Sequence, residues 1–589
     1  MRRDNQKQQE YKERKSRGRY CNTVVGVLDV LYIVLVVLLL IHLFVLQVFD
    51  VRKYRERGKM QRVSSDFAIR GDIYDRHGIK LATDRIYYNV YARYVDYSEK
   101  ETPKEIARLF APILNIPEAT LYAKLASKKN PVIAVKKDVD RDTAKKLMKV
   151  ISDNNFRSIS LDKKNTREYP QGILASHVLG FYNFDADVSS GVEYTAKDKL
   201  EHAVRATYDK TRDGKIIYNF STDPVVPTRN PKGLDVTLTI DAAIQHVCEK
   251  ELQKIMHEKE ALRGAVIVMN PKNGEILAYA VAPTYDPNHF QKVSNSTIKN
   301  WTLTDVYPPG STFKIITVTS AMELGKINEH SIIPDSGRMK FGNYTIENYD
   351  YKQKGAPGNI NLVYLFEHSS NIGSVNVGKK MTHNEFYSML KKFGYGEKSG
   401  VDLPGESSGL LASPKFWDEG LHMTMSYGYG TSVSIMQMVS AVSALANNGV
   451  RVTPHIIKYS PEEEVEKVKR IPTISPETAR IITKLLAQSV NNGKSCIKMD
   501  KYNVAAKTGT SRKPLENGIG YSGAMYTSTI GYLPASDPQV LIYVVVDSAK
   551  KGPVWGNTVA GPVFHEVAEQ VARILDLKPD KVVVKSKKL

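Results

Sequence analysis

Apolar positions along the chain form three different patterns. Near the N-terminus, Val30 to Val48 is apolar apart from His42 and Gln47, long enough for a helix to span a bilayer. No small-x-small cleavage site follows it; Phe49-Asp50-Val51-Arg52 comes directly, so the segment reads as a retained anchor. From about residue 50 to 230 the pattern breaks into short strand-like runs among charged residues. Beyond that, Ala265–Met269 and Ile276–Val281 flank Asn273-Gly274, a strong hairpin signal. A second hairpin is expected from Thr527–Tyr532, a turn at Pro534–Pro538, and Val540–Val546. The unbroken apolar run of Val540–Val546 suits a central strand buried on both faces. From about Pro562 to Leu575, Val563, Val567, Val571 and Ile574 recur at helical spacing.

At 589 residues the chain is expected to fold as more than one unit. Turn residues Asn230-Pro231-Lys232-Gly233 mark a boundary. The expected organisation is a tail over 1–21, an anchor over 22–48, a non-catalytic domain over 49–232, a second domain over 233–577 and a basic tail over 578–589. The class is α+β multidomain, with strands at both ends of the second domain and helices between them.

Charge changes this picture little. The net charge is +20, with eight Lys/Arg among the first twenty residues and six more from Arg52 to Arg62. Basic residues therefore flank the apolar span on both sides, and the orientation bias is modest. No basic-aromatic platform points to nucleic acid. The excess suits anionic lipid or wall polymer, or simply a solvated surface. Cys21, Cys248 and Cys496 lack metal spacing; sequence alone leaves a Cys248–Cys496 bridge open.

The chemistry is carried by Pro308 to Lys314, Pro-Pro-Gly-Ser-Thr-Phe-Lys. Ser311 and Lys314 stand at i and i+3, on one face of a helix start. A lysine desolvated by the apolar run Ile315–Val318 has a lowered pKa and can take the serine proton. Ser-x-x-Lys also occurs at Ser160/Lys163, Ser296/Lys299, Ser495/Lys498 and Ser548/Lys551, so context must select. Ser369-Ser370-Asn371 and Lys507-Thr508-Gly509-Thr510 follow Ser311 in order. The mimics Ser152-Asp153-Asn154 and Lys398-Ser399-Gly400 fail on order or on loop setting. Ser369 and Asn371 could equally cap a helix.

The ordered set Ser-x-x-Lys, Ser-x-Asn, Lys-Thr-Gly resembles the signature of penicillin-binding proteins and serine β-lactamases. Arg70-Gly71-Asp72 through Gly78, Arg167–Gly172 with Ala175, His177 and Gly180, and Gly191-Val192-Glu193 resemble motifs of the pedestal domain of class B penicillin-binding proteins. Leu238–Asp241 with Gln245 resembles their linker into the transpeptidase domain. No glycosyltransferase pattern accompanies them, which fits a monofunctional member. His177 is expected to be structural.

The resemblance implies a single-pass protein of the bacterial cytoplasmic membrane with its catalytic domain outside. It implies a serine D,D-transpeptidase that cross-links peptidoglycan stem peptides and is acylated by β-lactams. Ser311 would be the nucleophile and Lys314 its base. Ser369 would relay protons between Lys314, Lys507 and the leaving amine, while Asn371 holds the substrate backbone. Lys507, Thr508 and Thr510 would meet the substrate carboxylate, with Gly509 leaving room for its backbone. The backbone N–H groups of Ser311 and Thr510 would form the oxyanion hole. No cofactor or metal is implied. Ser426-Tyr427-Gly428-Tyr429-Gly430 looks closer to division-type than elongation-type members. Division proteins and a SEDS-type glycosyltransferase would then be the partners. The rival readings are a D,D-carboxypeptidase or β-lactamase and a non-catalytic sensor or scaffold.

Overall fold

In a computed structural model of the chain, the described residues are 32, 34–39, 69–127, 130–184, 186–201, 207–210, 216–219, 232–342, 344–493, 495–515 and 520–581. Contacts divide the chain into two units, Met1–Ala68 with Val204–Pro231, and Ile69–Ala203 with Lys232–Leu589. The described part of the first contains helical backbone at 34–39 and a hairpin, Thr207–Lys210 against Ile216–Asn219. Most of the apolar segment expected as an anchor lies outside the described residues, as do the turn Asn230-Pro231 and the tail after Lys581. No helix among the described residues is long and apolar enough to cross a membrane.

The second unit begins with a sheet built around Lys80–Arg93. This long strand pairs antiparallel with Val132–Val139 and with Ile159–Glu168. Helices Pro103–Leu114 and Arg141–Asn154 cover it, each started by a side-chain cap. Thr102 accepts from the Glu105 N–H, and Asp140 from those of Asp142 and Thr143. Ile106, Phe110, Leu114 and Leu147 pack on Val90, Ala92, Ile133 and Val135.

A buried ionic cluster ties together motif segments far apart in sequence. Glu193 accepts from Arg70 at 3.0 Å and from Arg167 at 2.6 Å, while Arg167 also bonds Asp84 at 2.9 Å. Arg70 continues to Glu201. The same region docks on the rest of the unit. Ile73 pairs parallel with Val236, and the Ala175 N–H donates to Glu249 at 2.7 Å. His177 donates from Nε2 to the Thr297 carbonyl at 2.9 Å, and burial pushes its pKa down to about 4. It is a neutral packing residue at this junction.

Residues 263–547 carry a five-stranded antiparallel sheet in the order Ile276–Ala282, Arg263–Met269, Val540–Asp547, Tyr521–Leu533, Ala505–Pro514. Both expected hairpins form, and Val540–Asp547 is buried along its whole length at the sheet centre. Its side chains alternate as strand geometry requires. Val540, Ile542, Val544 and Val546 face helices Ala242–Lys259 and Ala560–Ile574, whereas Leu541, Tyr543 and Val545 face a helical lobe. In the last helix Val563, Val567 and Val571 are buried as their spacing predicts, but Ile574 is 40% exposed because the helix ends there. Cys248 and Cys496 are free thiols.

Glu193 is the acid shared by two buried guanidinium groups, so Glu193→Ala leaves both short of a partner. The expected loss is about 3–5 kcal/mol of stability, checked by equilibrium denaturation.

Candidate functional site

Ser311 lies in the 3₁₀ turn Gly310–Phe313 that leads into helix Lys314–Glu323. That helix is buried all round from Lys314 to Met322, as expected for an element inside a lobe rather than on its surface. Ser311 itself keeps partial exposure. The turn is clamped by glycines. The Gly310 N–H donates to the Gly428 carbonyl at 3.0 Å, and a Cβ on Gly428 would lie 2.0 Å from the Gly310 oxygen. Gly428 also has φ +90°, where a side chain is strained. The Tyr427–Gly430 segment thus supports the nucleophile turn directly.

Lys314 is completely buried, and its ammonium reaches oxygens 55 residues away. It donates to the Ser369 carbonyl at 2.5 Å, Ser369 Oγ at 3.1 Å and Asn371 Oδ1 at 2.7 Å. Charged, the group has a proton for each of these oxygens; neutral, it has two, and Ser369 Oγ can donate to its lone pair. The hydrogen bond to Ser311 expected from the i, i+3 spacing is not among them. Lys314 shares the helix start with Ser311 but is turned toward the Ser-x-Asn segment.

That segment is itself strained into place. Ser369 has φ +51°, uncommon for a residue with a side chain, and such strain persists where the surroundings over-determine it. The helix cap expected here is real, but it belongs to Ser370, whose Oγ accepts from the Gly373 N–H. Ser369 and Asn371 are thereby left free to face Lys314. Asn371 also donates from Nδ2 to the Glu347 carbonyl at 2.8 Å.

Lys507 comes from Ala505–Pro514, the edge strand of the sheet. Lys507, Gly509 and Ser511 are buried on one face, and Ser511 Oγ donates to the Pro308 carbonyl at 2.6 Å. Gly509 also has a packing reason to be glycine. A Cβ on it would meet Ser528 Oγ at 2.5 Å and Thr312 Cγ2 at 2.9 Å, so glycine is required by packing against the nucleophile turn. Thr508 and Thr510 lie on the opposite face, partly exposed, and Thr510 Oγ1 accepts from the Gly556 N–H at 3.0 Å. Beyond Lys507 the outer edge of this strand has no strand partner among the described residues, and toward its end the Arg512 N–H is taken by Tyr429 Oη at 3.0 Å; an unpaired edge of this kind suits an extended peptide.

The electrostatics favour a neutral lysine. Burial, and then the nearby charge of Lys507, hold Lys314 well below the usual lysine range, with Asp335 acting in the opposite sense. Burial pushes Lys507 down to about 7. Two features escaped sequence reasoning. Gly428 has a close backbone neighbour 118 residues earlier, and Asp335 and Asn348 sit directly behind the Ser-x-Asn turn. Neither carries a local signal beyond turn-forming composition. The mimics Ser152–Asn154 and Ser296/Lys299 fall on a helix of the first region and on a short surface helix.

A partly exposed serine thus lies in the turn that leads into the buried helix of Lys314, and that turn packs against the edge strand that carries Lys507. Residues 264–569 match the family described as penicillin binding protein transpeptidase domain, and residues 65–212 the penicillin-binding protein dimerisation domain. Stage V sporulation protein D of Bacillus subtilis is 31% identical over 531 residues, covering 88% of this chain and 80% of that protein. The peptidoglycan D,D-transpeptidase FtsI of Escherichia coli is 28% identical over 551 residues, with coverage of 91% and 89%. A crystal structure of penicillin binding protein 2X from Streptococcus thermophilus shares the fold, with a TM-score of 0.70 at 24% identity and coverage of 87% and 80%. The chain belongs to the class B penicillin-binding proteins, carrying both their dimerisation and transpeptidase domains.

Lys507 is neutral in the fold above pH 7 but charged in the unfolded chain up to about 10.5. The unfolded state therefore binds more protons across that window, and stability rises with pH through it. Lys507→Met is expected to stabilise the protein by on the order of 1–3 kcal/mol at or below pH 7, a gain that fades toward pH 10.5. Thermal unfolding across pH checks both the sign and the window.

Proposed function

We propose that the chain is a serine D,D-transpeptidase that cross-links peptidoglycan stem peptides through an acyl-enzyme on Ser311. The observation that supports this reading is the buried Lys314, three residues after Ser311, bonded to Ser369 and Asn371 and within electrostatic reach of Lys507 on the edge strand. A neutral Lys314 takes the proton of Ser311 as its oxygen attacks the carbonyl of the penultimate D-alanine. The N–H groups of Ser311 and Thr510 hold the oxyanion, the contribution of one such donor being about 2.7–4 kcal/mol. Collapse expels the terminal D-alanine, whose nitrogen is protonated through Ser369. An amine of a neighbouring stem peptide then attacks the ester, and its proton returns to Ser311 by the same route. Asn371 Nδ2 has a second proton for the substrate backbone, and the hydroxyls of Thr508 and Thr510 receive the substrate carboxylate, with Lys507 on the other face of the strand adding positive charge when protonated. No step requires a metal or organic cofactor.

The same reading places residues 22–48 in the cytoplasmic membrane and the catalytic domain, 233–577, outside it, carried on the pedestal domain of residues 49–232. Residues 1–21 and 578–589 are basic tails. The Ser426–Gly430 segment supports septal wall synthesis, with division proteins and a SEDS-type glycosyltransferase as partners.

Purified protein exposed to a fluorescent penicillin is expected to take up label that persists for hours. Ser311→Ala should lower the labelling rate by about 10³-fold or more. Rapid loss of label from the wild type would mean a hydrolase instead, and labelling that survives in Ser311→Ala would remove Ser311 from the role.

A further inference from the structure

Asp335 ends the strand Ile332–Asp335 and is 1% exposed. Among the described residues its carboxylate forms no ion pair and is met by neutral donors. The Gly337 N–H donates to Oδ1 at 2.8 Å, Asn348 Nδ2 lies 2.9 and 3.0 Å from the two oxygens, and the Ser370 hydroxyl donates to Oδ2. These contacts set the direction of two further groups. With its nitrogen held on Asp335, Asn348 must turn Oδ1 the other way, where it accepts from the N–H groups of Asn371 at 2.8 Å and Ile372 at 3.1 Å. With its proton given to Asp335, Ser370 Oγ presents lone pairs to the Gly373 N–H at 2.7 Å. Three orphan donors of helix Asn371–Gly378 are thus satisfied by two side chains that one carboxylate orients.

The consequence reaches the reacting groups. Residues 369–371 are held so that Ser369 O, Ser369 Oγ and Asn371 Oδ1 all point at Lys314 Nζ. Ser369, with φ +51°, stands directly before this pinned turn, and strain of that kind persists where the surroundings over-determine it. Resting on the reading of Ser311 as nucleophile, we propose that Asp335 is a positioning residue for acylation. Through Ser370 and Asn348 it locks the turn that holds Lys314, and its charge acts on that lysine in the sense opposite to burial. Burial and Lys507 drive Lys314 toward the neutral form, and Asp335 is the charge that opposes them. A general base needs appreciable proton affinity as well as a free lone pair.

Asp335→Asn keeps the shape and removes the charge. The rate of acylation by fluorescent penicillin is expected to fall about 10- to 100-fold in a variant that still unfolds cooperatively. The groups acting on Lys314 are Asp335 and, below about pH 7 where it is protonated, Lys507, so removing the anion lowers the proton affinity of Lys314. The acid limb of the acylation pH profile should then move to lower pH. A folded variant with unchanged rate and limb overturns the proposal. A uniform fall at every pH, with the limb unmoved, overturns it too and reduces Asp335 to a stabilising residue. If Asp335→Asn does not fold, Ser370→Ala removes one link of the chain and should still slow acylation about tenfold; an unchanged rate there overturns the proposal. Failure of the underlying reading looks different, since the wild type would then stay unlabelled or Ser311→Ala would still label.

Discussion

Lys314 is an ionisable side chain with no exposure to water, and the helical lobe is arranged around holding it. Removing an ammonium from water carries a penalty of several kcal/mol. Two responses are visible. Its proton affinity is depressed by burial and by Lys507, and three oxygens from Ser369 and Asn371 surround its nitrogen. Meeting both conditions requires parts of the chain separated by 55 and by nearly 200 residues to meet at one point. The strained backbone at Ser369 and the glycine contact between Gly310 and Gly428 follow from that convergence.

The sheet supplies the rigid reference for this meeting. Val540–Asp547, packed on both faces, fixes Tyr521–Leu533, which in turn fixes the edge strand bearing Lys507. Because the edge strand is the last in the order, its inner pairing is secure while its outer edge stays open. Gly509 allows that strand to approach Thr312 and Ser528, and Ser511 fastens it to Pro308. A site built on packed elements keeps its geometry better than one built on loops. The Ser-x-Asn turn, which connects two helices, is instead stiffened from behind by Asp335 and Asn348.

Much of this was legible in the residues. Asn273-Gly274 between apolar runs announced a hairpin, and the pure apolar run at Val540–Val546 announced a strand covered on both sides. Spacing and order singled out Ser311, Lys314, Ser369, Asn371 and Lys507 from several mimics, and among these Lys314, Ser369 and Asn371 are in direct hydrogen-bond contact. Other expectations changed in the fold. The helix cap is Ser370, and the protons of Lys314 go to Ser369 and Asn371 rather than to Ser311.

The sequence by itself determined the kinds of element and the identity of the reacting side chains, because periodicity, turn chemistry and motif order are local quantities. It also determined that Lys314 would be buried, since an apolar run follows it immediately. Only the tertiary structure decided what surrounds that lysine. Asp335 and Asn348 are ordinary turn-forming residues until strand register and helix packing bring them behind residue 370. Gly428 is one glycine among many until its carbonyl meets Gly310. Contacts of this kind depend on how distant elements pack together, and no window along the chain contains both partners.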